Sequence, residues 1–352
     1  MPKTAALQID VPGGSYEIHV APGAMGRLED YLPATQEYMV VTDSNVDSLY
    51  GTCLGDVPKF VFPAGEQSKT MQTVMEIVEA MLARGLSRRA VVVALGGGVV
   101  GDMAGFAASI YMRGVPYVQV ATTLLAQVDS SVGGKTGVNT RFGKNTVGSF
   151  YQPRQVIIDP ETLRTLPQRE IINGIGEVIK YGFIYDHAFL LSVEKQFEDL
   201  LHLDSHILVD VIKRCCAIKA AVVNEDETEQ GVRKILNFGH TVGHALEAVT
   251  EYKVYTHGEA VLLGMLYETK AARALGKLDE EHYATICRVL GLVDLDWSVS
   301  HYDPEALLGH MAKDKKNRDG KVSLLLPTAP GRVEEVLLSA AAMAELWKEL
   351  VQ

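Results

Sequence analysis

Three histidines, His240, His244 and His257, stand close together in the stretch NFGHTVGHALEAVTEYKVYTHGEA. Imidazole is the commonest metal-binding side chain near neutral pH, because its free form is neutral and keeps a lone pair. His240 and His244 are four apart in a run that reads as helix, HTVGHALEAV. Residues at i and i+4 share a helix face, so two rings can converge on one point. A catalytic divalent metal takes three protein ligands and leaves a position open. His257, in the Tyr-Thr-His-Gly-Glu segment after the helix, or a carboxylate from elsewhere would complete the set. The spacing alone fits a hydrogen-bonded core pair or a surface pair as well. A zincin places Glu directly after its first histidine, and Thr241 stands there, which excludes a metalloprotease signature.

Other polar groups point to an anionic or polyhydroxylated ligand. Residues 124–153 are dense in Gly, Ser, Thr, Asn and Lys and show little helical or strand periodicity. A long polar segment inside a compact domain is usually functional or disordered. The strand-like flanks YVQVA and QVIID argue against disorder. Asp129, Lys135, Lys144 and Asn145 read together as a polar lining. Glu177 and Lys180 lie three apart on one helix face, flanked by Ile175, Val178 and Ile179, so that face is not plainly solvated. Lys219 falls in a predicted helix from Lys213 to Asn224, and Arg233 lies on the approach to the histidine helix. The run with Lys313, Lys315, Lys316 and Arg318 reads as a solvated turn unless it closes over an anion.

These groups need elements to hold them. Strands are predicted at Tyr38–Thr42, Lys59–Phe62, Ala90–Leu95 and Tyr117–Ala121, after an N-terminal hairpin over residues 5–20. The polar Asp43-Ser44-Asn45 ends the first of these, where α/β proteins place ligands. Ala90–Leu95 is a continuous apolar run, as expected of a strand covered on both faces. Gly96, Gly98 and Gly101 follow it in the pattern G-x-G-x-x-G and open a helix, which would let a pyrophosphate approach the backbone. A tight turn without a ligand fits equally. The next strand ends in Thr122-Thr123 rather than in an acidic residue, so this is not a standard dinucleotide fold. Helices are predicted from Leu166 to the end, interrupted by one strand near Lys321–Pro327. The predicted architecture is an α/β N-terminal domain with a Rossmann-like parallel sheet, residues 1–160, and a mostly α-helical C-terminal domain, residues 161–352. The active site is expected in the cleft between the domains.

The 352 residues allow two such domains, and 47% hydrophobic and 22% charged content is ordinary for a globular chain. The net charge of −11 argues against a nucleic-acid partner, but it permits a local basic pocket. Cys53, Cys215, Cys216 and Cys287 show no paired metal spacing and read as reduced thiols. No apolar run approaches the roughly 20 residues that cross a bilayer, and the N-terminus lacks an apolar signal core. A cytoplasmic location without membrane contact is expected.

The chain resembles the dehydroquinate synthases among the sugar phosphate cyclases. The resemblance rests on GEQSK, ALGGGVVGD, YMRG, TTLLAQVDSSVGGKTGVN, GKN-x-x-G-x-F-x-QP, TLP-x-RE, GEVIKYG, NFGHTVGHALE, HGEAV and DKK, in the family's order from about residue 64 to 316. It implies a zinc or cobalt ion held by Glu177, His240 and His257, with His244 facing the substrate. It implies NAD contacts from Asp43, Gly65, Glu66, Lys69, the loop Gly98, Val99, Val100, Gly101 and Asp102, from Thr122 and Thr123, and from Thr162, Leu163, Arg164 and Thr165. Lys135 and Lys144 would lie where cofactor and substrate meet. Substrate contacts would come from Arg113, Asp129, Lys135, Asn145, Lys180, Lys219, Arg233, Asn237, His244 and Lys315. The implied reaction takes a phosphorylated seven-carbon sugar acid through transient oxidation, phosphate elimination, re-reduction, ring opening and internal aldol closure, in a homodimer. The alternative is a related cyclase such as a 2-deoxy-scyllo-inosose synthase, whose substrate lacks a carboxylate. A net polyol dehydrogenase and a non-catalytic binding protein are the other readings weighed.

Overall fold

The computed structural model describes residues 6–11, 14–35, 37–313 and 320–351. Lys315, Lys316 and Arg318 lie outside the described residues. The chain divides into two compact units, Met1–Leu166 with Leu203–Thr228, and Pro167–His202 with Glu229–Gln352.

In chain order the first unit contributes β1 (Ala6–Val11), β2 (Gly14–Val20), β3 (Tyr38–Asp43), α1 (Ser44–Tyr50), β4 (Lys59–Phe62), α2 (Met71–Ala83), β5 (Val91–Gly96), α3 (Gly98–Ile110), β6 (Tyr117–Ala121), β7 (Lys135–Thr140), β8 (Gly143–Phe150) and β9 (Gln155–Ile158). Helices α4 (Gln168–Ile184), α5 (His187–Lys195) and α6 (Phe197–Leu201) belong to the second unit, and α7 (Ser205–Glu225) to the first. A single split at residue 160 therefore assigns α7 to the wrong side. Its apolar face, with Leu208, Val211 and Ile212 buried, and its Cys216 and Lys219 pack within the first unit. The second unit continues with α8 (His240–Val249), α9 (His257–Ala274), α10 (Glu280–Leu290), α11 (Pro304–Ala312), β10 (Lys321–Ala329), β11 (Arg332–Ser339) and α12 (Ala340–Leu350).

The sheet of the first unit runs β1-β2-β9-β6-β5-β3-β4. All its pairings are parallel except that of β1 with β2. Strand β5 shows why its sequence is apolar throughout. Val92 and Ala94 enter a cluster with α2 and α3, whereas Val91, Val93 and Leu95 enter a cluster on the opposite face with Ala24, Leu28 and Val118. Both faces are covered, which is what a continuous apolar strand needs.

Two elements differ from the sequence expectation. Residues 124–153 contain a single π-helical turn, Ala126–Ser130, and the β7–β8 hairpin. Alternation is absent there because Gly137 and Gly148 face each other across the ladder. A Cβ on Gly148 would strike the carbonyl of Thr136, so no side chain can mark the pattern at these positions. The C-terminal half is not helical apart from one strand, because β11 pairs antiparallel with β10. Its burial alternates only between exposed and half-buried, which leaves little hydrophobic periodicity to read.

Candidate active site

In the second unit, three helices bring a carboxylate and imidazoles together. Helix α4 supplies Glu177 and Lys180, α8 supplies His240 and His244, and His257 opens α9. These helices touch at backbone level. A Cβ on Gly258 would land on the carbonyl oxygen of Asn173 in α4, and one on Gly264 would land on that of Gly239, which starts α8. The start of α9 is fixed further. Thr256 and Glu259 form a capping box, Asn173 Oδ1 accepts from Gly258 N at 2.7 Å, and Arg169 donates to both oxygens of Glu259. The start of α8 meets the buried Glu268, whose carboxylate accepts from Gly239 N at 2.8 Å. A carboxylate at a helix N-terminus complements both the free N–H groups and the dipole.

Glu177, His240 and His257 each present a ligand atom, all within 4.8 Å of one another. Glu177 Oε1 is 3.7 Å from Nε2 of His240 and 3.7 Å from Nε2 of His257. Glu177 is fully buried, and its Oε1 has no hydrogen-bond partner among the described residues. A buried acceptor left this way is costly. Two imidazole nitrogens and an orphaned carboxylate oxygen fit a divalent cation by the chemistry of the set. The other carboxylate oxygen of Glu177 accepts from Lys180 Nζ, with Lys180 2% exposed. His240 Nδ1 lies 3.1 Å from Phe238 O, which turns Nε2 toward Glu177. His244 joins a different group, with Glu247 and His257. The two helix histidines therefore do not share one ligand set with Glu177, although their rings are 5.3 Å apart. Arg233 is buried, and Asn237 donates to Glu229 at 2.5 Å.

In the first unit, the expected cofactor residues follow the C-terminal ends of parallel strands, the edge at which such sheets bind ligands. Asp43 ends β3, Gly65 to Lys69 follow β4, Gly98 to Asp102 follow β5, Thr122 and Thr123 follow β6, and Thr162 to Thr165 follow β9. The N-cap of α3, Gly97, provides no side-chain cap, so the first-turn N–H groups of α3 receive no side-chain acceptor from it. Lys69 Nζ lies 2.5 Å from Asp102 Oδ2. Burial works against the Lys69 ammonium, but the charges of Asp102 and Glu66 outweigh it and hold the group above the usual lysine range. Asn139 ties this loop to the hairpin by donating to Glu66 at 2.7 Å and accepting from Asn145 N at 2.9 Å.

Several of these side chains already have internal duties. Asp43 Oδ1 caps α1, Thr162 Oγ1 bonds to Asp159 O and Gln127, and Leu163 is buried. Arg164 pairs with Glu161, and Thr165 Oγ1 lies 2.9 Å from Tyr50 Oη. Asp129 sits in the π-helical turn, where Lys219 Nζ reaches its carboxylate at 2.9 Å and its carbonyl at 2.7 Å. Lys135 starts β7, Lys144 and Asn145 lie near the hairpin tip, and Asn145 adopts φ 52°. Arg113 is exposed, at φ 68°. The sequence reading missed Glu247, Glu268, Asn173 and the Arg169–Glu259 pair. Glu247 had a local signal, three residues after His244 on the same helix face, and Glu259 had one as the last residue of a T-x-x-E capping pattern that starts at Thr256.

Two family models match the chain. One, described as 3-dehydroquinate synthase N-terminal, matches residues 59–173, and one described as 3-dehydroquinate synthase C-terminal matches residues 174–317. A curated relative named 3-dehydroquinate synthase, from Alkaliphilus metalliredigens (strain QYMF), is 48% identical over 96% of this chain and 97% of its own length. A 2-deoxy-scyllo-inosose synthase solved with carbaglucose-6-phosphate, NAD+ and Co2+ superposes with a TM-score of 0.88 at 28% identity, covering 98% of this chain and 100% of that one. A 2-epi-5-epi-valiolone synthase from Streptomyces hygroscopicus subsp. jinggangensis 5008, with NAD+ and Zn2+ bound, gives 0.86 at 31% identity over 95% and 96%.

Proposed function

The chain belongs to the 3-dehydroquinate synthase family, and from that membership we propose how its side chains divide the work. The reaction converts 3-deoxy-D-arabino-heptulosonate 7-phosphate to 3-dehydroquinate and inorganic phosphate, with NAD and one divalent metal as cofactors. The observation that carries this reading is near-full-length likeness at 48% identity to a relative of that name. The 2-deoxy-scyllo-inosose synthase shares the fold at 28% identity, so the rival cyclase reading has less behind it.

Glu177, His240 and His257 would hold the metal, zinc or cobalt. That ion supplies Lewis acidity, which lowers the barrier to deprotonating a bound hydroxyl. NAD supplies a hydride acceptor that is regenerated within each turnover. The first-unit loops around Asp43, Gly65–Lys69, Gly98–Asp102, Thr122–Thr123 and Thr162–Thr165 would bind it, with Lys135 and Lys144. The uncapped start of α3 suits a pyrophosphate, because its first-turn N–H groups and dipole favour an anion. The segment Thr162–Thr165 would act through its backbone, since Thr162 and Leu163 are buried.

The substrate anion would be met by Arg113, Asp129, Lys135, Asn145, Lys180, Lys219, Arg233, Asn237, His244 and Lys315. Charge-assisted bonds to carboxylate and phosphate are the strong kind. Lys180 and Lys219 are buried and each is held by a carboxylate, Glu177 and Asp129, so both ammonium groups are fixed before substrate arrives. Fixed donors gain more from positioning than mobile surface lysines do. Roles of this kind assign NAD to the first unit and the metal to the second. No helix among the described residues is long and apolar enough to cross a membrane. A cytoplasmic homodimer is the assembly this reading expects, and sedimentation at working concentration tests it.

The deciding experiment measures phosphate released from 3-deoxy-D-arabino-heptulosonate 7-phosphate with substoichiometric NAD, before and after chelation. Many turnovers per NAD, lost on chelation and restored by zinc or cobalt, are expected. NADH accumulating in step with substrate consumed would instead mean a net dehydrogenase.

A further inference from the structure

Glu247 lies on α8, 2% exposed, and neither composition nor motif assigns it a task. Its Oε2 is 3.6 Å from His257 Nδ1, just beyond hydrogen-bond reach, while His257 Nε2 faces Glu177 Oε1 at 3.7 Å. Each ring nitrogen of His257 thus looks at a different carboxylate. A neutral imidazole has one N–H and one lone pair, and an ionised carboxylate can only accept. His240 resolves the same choice with a backbone acceptor, Phe238 O, on Nδ1. With Glu247 on Nδ1, His257 carries its proton there and offers Nε2 on the same side as His240. His244, one turn before Glu247 on α8, has a nitrogen within 4.8 Å of the Glu247 carboxylate as well.

We propose that Glu247 is the positioning residue of this centre: it holds His257 as the Nδ1–H form and thereby sets how tightly the cation is retained. The proposal rests on the reading of Glu177, His240 and His257 as ligands. A carboxylate behind a ligating histidine orients the ring and raises its basicity, and loss of such a partner typically weakens metal binding by about 10–100-fold.

The test is zinc affinity by chelator competition for the wild type, Glu247→Gln, Glu247→Asp and Glu177→Gln. Metal-free melting temperatures and visible spectra of the cobalt-loaded proteins are measured alongside. Glu247→Gln keeps the shape and removes the charge. It is expected to bind zinc about 10–100-fold more weakly, with a shifted cobalt spectrum and an unchanged metal-free melting temperature. Glu247→Asp should recover part of the affinity. Wild-type affinity and spectrum in Glu247→Gln would overturn the proposal. If Glu247→Gln also lowers metal-free melting, the aspartate variant decides: partial recovery supports positioning, and an equal loss in both variants overturns it. Binding abolished in Glu247→Gln but retained in Glu177→Gln would place the cation on His244, Glu247 and His257, making Glu247 a ligand. Wild-type affinity in Glu177→Gln, with Glu247→Gln also unaffected, would sink the underlying ligand assignment itself.

Discussion

Lys180 is the residue whose burial demands most explanation. It is 2% exposed beside a fully buried Glu177. Two charges removed from water are stable there only as a pair, and removing one partner of a buried pair costs about 3–5 kcal/mol. Lys180→Met should therefore lower metal-free stability by about that amount in urea unfolding under chelation. Zinc should restore part of it, because a ligand that binds only the native state stabilises by mass action. Equal stability of mutant and wild type under chelation would mean the pair is not desolvated. Cys216 makes a second case at this scale. Burial pushes its thiol up to about 12, and its Sγ donates to Gln127 O at 3.2 Å. The thiolate is the reactive form. Native protein treated with iodoacetamide at pH 8 should be alkylated at Cys53 and Cys287, which are partly accessible, and not at the buried Cys215 and Cys216. Mass-spectrometric labelling of Cys216 on the same timescale would contradict this.

Elements set where the proposed metal ligands meet, and glycine decides how closely α4, α8 and α9 approach. A methyl group at Gly264 would collide with the backbone carbonyl of Gly239, and backbone yields less readily than a flexible side chain. Overpacking of this kind costs typically 1–3 kcal/mol and sometimes more. Gly264→Ala should therefore lose about 3 kcal/mol and also retain zinc less well, since it pries α9 from the start of α8. Gly309, inside α11, is the control. A Cβ there meets nothing within 4 Å, so Gly309→Ala should gain about 0.5–1 kcal/mol from helix propensity alone. Thermal melts of the two variants side by side check both signs. If both destabilise, backbone proximity is not the reason glycine stands at Gly264.

For the molecule as a whole, acid stability is predicted to hinge in part on His282 of α10. This ring is 5% exposed, and burial, with the nearby His187, lowers its pKa below the usual histidine value. The folded ring stays neutral where the unfolded one, near 6.5, takes up a proton. As pH falls through about 6.5 the unfolded state binds more protons, so stability drops, by at most about 1.4 kcal/mol per pH unit for one group, and levels off below the folded pKa. His282→Gln should flatten the denaturant midpoint between pH 7 and 5.5. Identical slopes in mutant and wild type would assign the acid sensitivity elsewhere. The fold itself is shared with a 2-deoxy-scyllo-inosose synthase, which is why reaction identity has to be read from side chains rather than architecture.

The sequence by itself determined the elements with a strong local code. Strand β5 was legible because a doubly covered strand must be apolar at every position, and α8 because its apolar and histidine positions keep helical spacing. The histidines themselves were visible as metal-binding residue types, and the family motifs supplied Glu177 as their partner. Tertiary structure alone decided the rest, because the information lies in contacts between distant segments. Glu177 is 63 residues before His240 in the numbering, and its orphaned oxygen exists only once α4 packs on α9. Membership of α7 in the first unit shows in contacts between distant segments, such as Lys219 with Asp129, that no local pattern encodes. The β7–β8 hairpin hid behind facing glycines, which carry no side chain to register a period. Glu247 had no role assigned from the sequence, and only the fold places it behind His257, where one carboxylate determines which nitrogen of a ring keeps its lone pair.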